Sequence, residues 1–263
     1  MRAYISVFKM RLRMELQYRG AMIGGILCQM FFGLVLVAVY RALYDSKPQS
    51  LPIESVVTYV WLQQAFFRMM FGTDSDLLDK IRSGDISYDM CRPINMYGFY
   101  YARIVAMKLM GSLMRAVPML TLAAFLPKGW GISLPASLPG FLLAIPALLL
   151  GLLCVCALEN ITVAFTMRTL DSRGMQGLLT MLMMTFSGNV LPLTLFPDSW
   201  QKAITFLPYA QLLDAPIRLY TGVYELSAAL GVYALQIFWI IVLIALGNVM
   251  WNANKKRMIV QGG

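Results

Sequence analysis

The chain contains no histidine. That absence removes imidazole zinc sites, Ser-His-Asp and Cys-His nucleophilic chemistry and the commonest proton shuttle together. Charge is scarce as well: 13% of residues are Asp, Glu, Lys or Arg, against about 25% in a soluble domain. Cysteine is limited to four. Cys154 and Cys156 stand two apart on an expected helix and point about 200° away from each other, so they neither pair nor share a metal. Nowhere does the sequence carry Gly-x-x-x-x-Gly-Lys-Ser/Thr, so any ATP hydrolysis that it uses has to be supplied by another polypeptide. Glu159 is the only carboxylate deep inside an expected span, and no paired acid or nucleophile–base set can be assembled. A membrane-embedded enzyme is therefore disfavoured.

Apolar residues are what the chain has in abundance. They make up 59%, beyond the roughly 45–50% of soluble domains, which places it among membrane proteins. Four stretches, Ala21–Leu43, Gly140–Met167, Gly174–Phe196 and Leu226–Trp251, each supply the roughly 20 residues that cross a bilayer. Ile53–Gly72 and Tyr97–Leu126 add two less uniform ones. The expected fold is a single all-α membrane domain over 1–263 with six transmembrane helices. It begins with an amphipathic helix over 1–19, in which Ile5, Phe8, Leu12 and Leu16 share one face while Lys9 and Arg13 lie off it. A removable signal peptide is not expected, because the apolar run after that helix is span-length.

The net charge of +9 points to anionic lipid headgroups rather than nucleic acid because of where the cations lie. With the spans set as above, sixteen Lys and Arg fall on one side, from Arg2 to Arg19, around Lys80–Lys108, at Arg168 and Arg173 and at Lys255–Arg257. Only Arg41, Lys47, Lys128, Lys202 and Arg218 fall on the other. By the positive-inside rule both termini and the first loop face the cytoplasm.

That first loop, 73–96, holds a polar island: five of the 13 acidic residues lie between Asp74 and Asp89. Thr73-x-x-Asp76 can cap a short helix, Lys80 and Arg82 suit its negative end, and Gly84 can terminate it. Leu77, Leu78 and Ile81 would share one face, and so short a helix needs something to pack against. Within the expected spans, Lys108, Gly111, Ser112 and Arg115 form one polar stripe, and Cys156, Glu159, Thr162 and Thr166 another. Arg115 stands about 18 Å of helix beyond Arg103, too deep for a flanking charge. Intramembrane charges cost roughly 2.5–3.5 kcal/mol each on insertion scales. The expectation is therefore that Glu159 pairs with Arg115 or with Lys108, or that the three line a path. Pro118 should kink the third span. From 187 to 222, Pro192, Pro197, Pro208 and Pro216 leave apolar pieces too short to cross, which suits re-entrant or interfacial segments on the outer side. Pro192, Phe196, Pro197 and Trp200 are candidates for an outer gate.

Three segments, "KIRSGDISYDMCRPI", "SGNVLPLTLFPDSW" with "LPYAQLLDAPIRLYTG", and the tail "KKRMIVQGG", resemble the six-helix permeases of the ABC type-2 exporter family. The likeness is to the subgroup ending in a basic stretch and Gln-Gly-Gly, and it covers nearly the whole chain. The resemblance implies a coupling helix between spans two and three and re-entrant outer helices before span six. It implies pairing with a second permease, identical or similar, and with two cytoplasmic ABC ATPase subunits that bind the ATP and Mg, this chain holding no cofactor or metal. It further implies a bacterial cytoplasmic membrane. On that basis Asp76, Leu77, Leu78, Ile81, Arg82, Gly84 and Asp85 become the candidate ATPase-docking residues. An ion-coupled secondary transporter using Lys108, Arg115 and Glu159 is the alternative, weakened by the lack of an internal repeat. The 20 methionines would suit a bulky, amphipathic cargo.

Overall fold

A computed structural model describes residues 2–17, 19–46, 51–189, 193 and 196–255, without the side chain of residue 198. Eleven α-helices and no strand occur among the described residues: α1 (Arg2–Gln17), α2 (Arg19–Ser46), α3 (Ile53–Met70), α4 (Ser75–Ser83), α5 (Ile86–Met90), α6 (Met96–Ala124), α7 (Leu138–Thr169), α8 (Arg173–Phe186), α9 (Asp198–Phe206), α10 (Asp214–Tyr220) and α11 (Ala229–Asn254), the last preceded by a 3-10 turn over Leu226–Ala228. Four of these segments are long and apolar enough to cross a membrane: Arg19–Ser46, Met96–Ala124, Leu138–Thr169 and Leu226–Asn254.

Local chemistry sets the helix ends. The Asn95 side chain accepts from the Gly98 amide at the start of α6, and Ser137 accepts from Gly140 at the start of α7, each satisfying an otherwise orphaned donor. Pro139 follows at a position where its missing amide costs nothing. Pro118 does not end α6, which runs on to Ala124.

α3 and α8 differ from the spans expected for them. α3 is wrapped by α2, α6 and α7, so its surface need not be uniformly apolar, and Thr58, Gln63 and Gln64 are buried on it. α8 stops at Phe186, with Ser187 as its C-cap and Gly188 in the left-handed region at φ 76. One unbroken helix over 174–196 is thereby corrected to a helix of 14 residues.

The main core joins Val7 of α1 and Met69 of α3 to Leu77 and Ile81 of α4, Tyr100 and Ile104 of α6, Val155 and Leu158 of α7, and Trp251 of α11. α7 and α11 pack side by side along their length. Gln236 on α11 donates to the carbonyls of Ala147 and Gln211. Gly151 is required where the Leu212 carbonyl lies against α7 in the space that a Cβ would fill. α1 lies against α6 through Val7 and Arg11, leaving Ile5 and Leu16 exposed. The apolar face predicted for α1 is thus only partly covered, with Phe8 and Leu12 half-buried and Ile5 and Leu16 available to lipid, while a second, partly polar face holds the helix in place.

Candidate functional site

Buried charge concentrates in two places. About 16 Å of α3 separates Tyr59, which belongs to one, from Met70, beside the other.

The larger cluster surrounds the start of α4. The cap is Asp74 rather than Thr73: its carboxylate accepts from the Leu77 amide, and Gly84 closes the helix in the left-handed region at φ 82. Thr73 and Asp74 both fit the sequence pattern, and the choice falls to Asp74 because its carboxylate also meets Arg103, at 2.5 and 3.0 Å. Burial alone would raise the Asp74 pKa, but the hydrogen bonds and charge of Arg103, joined by Arg11, hold this carboxyl below the usual range. Arg11 reaches Asp76 at 3.0 Å, Asp74 at 3.6 Å and Glu15 at 3.3 Å, while Asp76 also lies 3.4 Å from Arg103.

Glu159 completes the cluster. It accepts from the Asp74 backbone amide at 3.0 Å and pairs with Lys108 at 2.8 Å, and the Lys108 ammonium also donates to the Gly72 carbonyl at 2.6 Å. Of the two pairings expected for Glu159, the Lys108 one forms. Arg115 instead reaches the Ala21 carbonyl at 3.4 Å. About 32 Å of helix separates Leu138 from Glu159, so Glu159 stands in the C-terminal third of α7 rather than at its middle. The polar stripe of α7 is buried in full at Cys156, Glu159, Thr162 and Thr166.

The faces of α4 correct a second expectation. Leu77, Leu78 and Ile81 lie in this chain's own core, at 0, 4 and 2% exposure, and α4 packs on α7. The partner that so short a helix needs is therefore α7 and its neighbours, and these three residues cannot be the surface that meets another protein. What remains outside is polar and aromatic: Asp79, Ser83, Asp85 and Tyr88, the last 77% exposed. Arg82 bonds Asp79 and donates to Ser172 in the α7–α8 turn at 3.1 Å. Asp89 fastens α5 in turn, through Lys80 at 3.2 Å and the Tyr100 hydroxyl at 3.0 Å.

The second cluster centres on Asp214 at the start of α10. Arg218, one helical turn on, pairs with it at 2.6 Å, and the Tyr59 hydroxyl of α3 donates to it at 2.5 Å. All three are buried, at 0, 4 and 4% exposure. Gln63 donates to the Gly188 carbonyl, which ties the end of α8 to α3. Arg218 also stacks on the Tyr224 ring at 5.2 Å, but its Nη2 is buried with no hydrogen-bond partner among the described residues.

Around this cluster lie the candidates for an outer gate. Pro192 lies outside the described residues. Phe196 is half-buried against Leu193, Ile204 and Ala210. Pro197 precedes α9 and is exposed, and Trp200 is 63% exposed. Among the described residues no hydrogen bond joins any of the three to Asp214, Arg218 or Tyr59. An apolar groove of about 520 Å³ opens between α3, α6, α7 and α10, lined by Leu62, Phe66, Leu120, Ala144, Leu148 and Ile217 among others.

Sequence reasoning did not single out Arg11, Arg103, Tyr59, Asp214 or Arg218 as site residues. For Asp214 and Arg218 a signal was present, their four-residue spacing inside the apolar segment "LLDAPIRLY". Tyr59 carried none, since its partner is 155 residues away. Among the described residues no cluster of His, Cys, Asp or Glu could hold a metal.

A protein-family model described as "ABC-2 family transporter protein" matches residues 25–262. No curated protein matches the chain.

Proposed function

The chain belongs to the ABC-2 family of transporter proteins, transmembrane permeases that work with ABC ATPase subunits, and from that premise we propose that it forms the translocation path of an ATP-driven exporter in a bacterial cytoplasmic membrane. In this reading α3 and α8 complete a set of six spans, both termini face the cytoplasm, and α9 and α10 are the short re-entrant helices before the last span. Two ATPase subunits bind ATP and Mg below, and a second permease, identical or similar, stands alongside.

The observation that carries the reading is the wiring of the 73–95 loop. A loop that only kept charge out of the bilayer would have no use for ion pairs to two other helices and a buried hydrogen bond to a third. Asp74 and Asp76 join it to Arg11 on α1 and Arg103 on α6, and the Asp74 amide donates to Glu159 on α7, itself paired with Lys108, so a push on α4 or α5 is delivered to α1, α6 and α7 as a rigid displacement. The pushing surface is the outward side, Asp79, Arg82, Ser83, Asp85 and Tyr88, in place of Leu77, Leu78 and Ile81. An exposed aromatic amid mixed charge has the composition of a binding hot spot. An ion-coupled carrier is less well supported, since Glu159, the carboxylate that it would need, is occupied by Lys108 and a backbone amide.

The cargo reading is an amphipathic molecule. The groove between α3, α6, α7 and α10 offers it an apolar wall, and α8 exposes Thr180, Met181 and Met184, adaptable residues suited to a path at the interface between two permeases. The test is co-purification in mild detergent. Tyr88→Asp is expected to leave the permease in the membrane and to release the ATPase, while Trp200→Asp, at an exposed position beyond the loop, keeps it bound. An intact complex with full transport in Tyr88→Asp would sink this docking surface, and the absence of any ATPase from the unaltered complex would sink the exporter.

A further inference from the structure

Adjoining the α4 cluster, and sharing Arg11, Glu15 and Asp76 with it, lies a polar cleft of about 260 Å³ between α1, α2, α3 and α6. Arg11, Arg68 and Arg115 line it together with Glu15, Asp76, Thr73 and Ser75. The charges do not cancel. Arg11 is matched by Glu15 and Asp76, and Asp76 is shared with Arg103. Arg68 and Arg115 are left over: among the described residues neither has a carboxylate within ion-pair distance, and Arg115 feels Arg68 as a like charge and Glu15, farther than an ion pair, as an opposite one.

Both guanidinium groups are nonetheless held in place. Arg68 folds back on the end of its own helix and donates to the Phe71 carbonyl at 2.8 Å. Arg115 crosses to α2, donates to the Ala21 carbonyl at 3.4 Å and lies over Gly25, where a Cβ would come within 2.6 Å of its central carbon. Carbonyl oxygens orient a guanidinium without neutralising it. Two fixed forks of N–H donors without an ion-pair partner, in a cleft whose three arginines outnumber its two carboxylates, are a site for an oxyanion that can accept several hydrogen bonds, above all a phosphate.

The surroundings point to where that phosphate comes from. Ala21 and Met22 belong to the first turn of α2, a membrane-crossing helix, and with Met114 they form an apolar wall to the same cleft. A phosphate here would sit at the level where an acyl chain attached to it could continue along α2, whose Ile23, Leu27 and Phe31 are exposed. We propose that Arg68 and Arg115 bind the phosphodiester of an anionic membrane lipid, seating it between α2, α3 and α6 against the α4 node. The assignment to the cytoplasmic leaflet rests on the orientation proposed above; the site itself does not. Binding is read without ATPase or transport, so its failure is distinct from failure of the exporter reading.

The experiment uses the full chain in nanodiscs of phosphatidylcholine with and without phosphatidylglycerol, and native mass spectrometry of retained lipid after transfer to detergent. The unaltered protein is expected to retain phosphatidylglycerol over phosphatidylcholine. Arg68→Gln/Arg115→Gln should lower that preference roughly tenfold to thirtyfold, at about 1 kcal/mol for each basic residue near a membrane surface. The exposed pair Arg92→Gln/Arg173→Gln removes the same charge elsewhere and should keep the preference. Each single variant, Arg68→Gln and Arg115→Gln, should lose part of it, which keeps the test open should the double variant not fold. Equal phosphatidylglycerol retention in folded single or double variants overturns the site. Stabilisation of lipid-free protein by inorganic phosphate equal to that by phosphatidylglycerol, and lost in the same variants, overturns the lipid as its source.

Discussion

The two buried charge clusters pair their ions by opposite means. Around α4, Arg11, Arg103 and Lys108 face Asp74, Asp76, Glu15 and Glu159, and most members touch more than one partner. Around α10, one carboxylate, Asp214, serves both Arg218 and Tyr59, and Arg218 has no second acid among the described residues. A distributed network keeps its shape when one contact is stretched, because each ion retains another partner. A lone pair is bistable: intact it locks α10 to α3, and broken it leaves a buried charge with nowhere to go. The first arrangement suits an element that must transmit a displacement rigidly, the second one that must either hold or release.

The sharpest break in that comparison is Asp214→Asn, which strands Arg218 in the interior. We expect a loss of about 3–5 kcal/mol, the usual result of removing one partner of a buried pair, read as a fall in the melting temperature of the purified protein. Asp214→Asn/Arg218→Met should recover most of it, since an apolar replacement leaves no orphan charge. A double variant as unstable as the single one would show that Asp214 acts through something other than Arg218.

Glu159→Gln comes next, at about 2–4 kcal/mol by the same argument. Lys108 is as deeply buried as Arg218 but keeps the Gly72 carbonyl at 2.6 Å, and the new amide oxygen can still accept from Asp74. If Glu159→Gln proves costlier than Asp214→Asn, the α4 node depends on one pair after all, and the contrast between the two ends fails.

Asp76→Asn tests the redundancy directly. The Asp76 side chain is 56% exposed, and both of its partners, Arg11 and Arg103, also reach Asp74. A loss below about 1 kcal/mol is expected, with ATPase co-purification unchanged. A loss comparable to that of Glu159→Gln would mean that the network has no slack.

These residues also mark how far the sequence can be read. Helical periodicity brought out the Lys108 and Glu159 stripes and the Leu77, Leu78 and Ile81 face, because such spacing reports which residues share a side. It does not report what covers that side, so the α4 face went to a partner protein when α7 already fills it. Asp214 and Arg218 escaped because four prolines made 187–222 read as a surface region, where charge costs little. Only the fold reveals that α10 is wholly enclosed. α3 escaped a clean span reading for the converse reason: a helix surrounded by other helices can carry Thr58, Gln63 and Gln64 without facing lipid.

The smallest effect, and the one that isolates a single member of the network, is its response to acid. Asp74 has its carboxyl held below the usual range; burial opposes this, and the hydrogen bonds and charge of Arg103 with the charge of Arg11 outweigh burial. A carboxyl depressed in the folded protein adds stability above its unfolded pKa of about 3.9, and that contribution disappears as pH falls through the folded value. Melting temperature should therefore show no Asp74 contribution to its slope between pH 7 and 5 and should decline below about pH 4. Asp74→Asn starts from a lower melting temperature and should decline less over that acid range, because it has no proton to take up. The difference between the two curves belongs to Asp74, since the remaining carboxylates are common to both proteins. Parallel declines would mean that Arg103 and Arg11 do not favour the ionised form of Asp74, and the α4 node would then be held by packing and by Lys108–Glu159 rather than by shared charge.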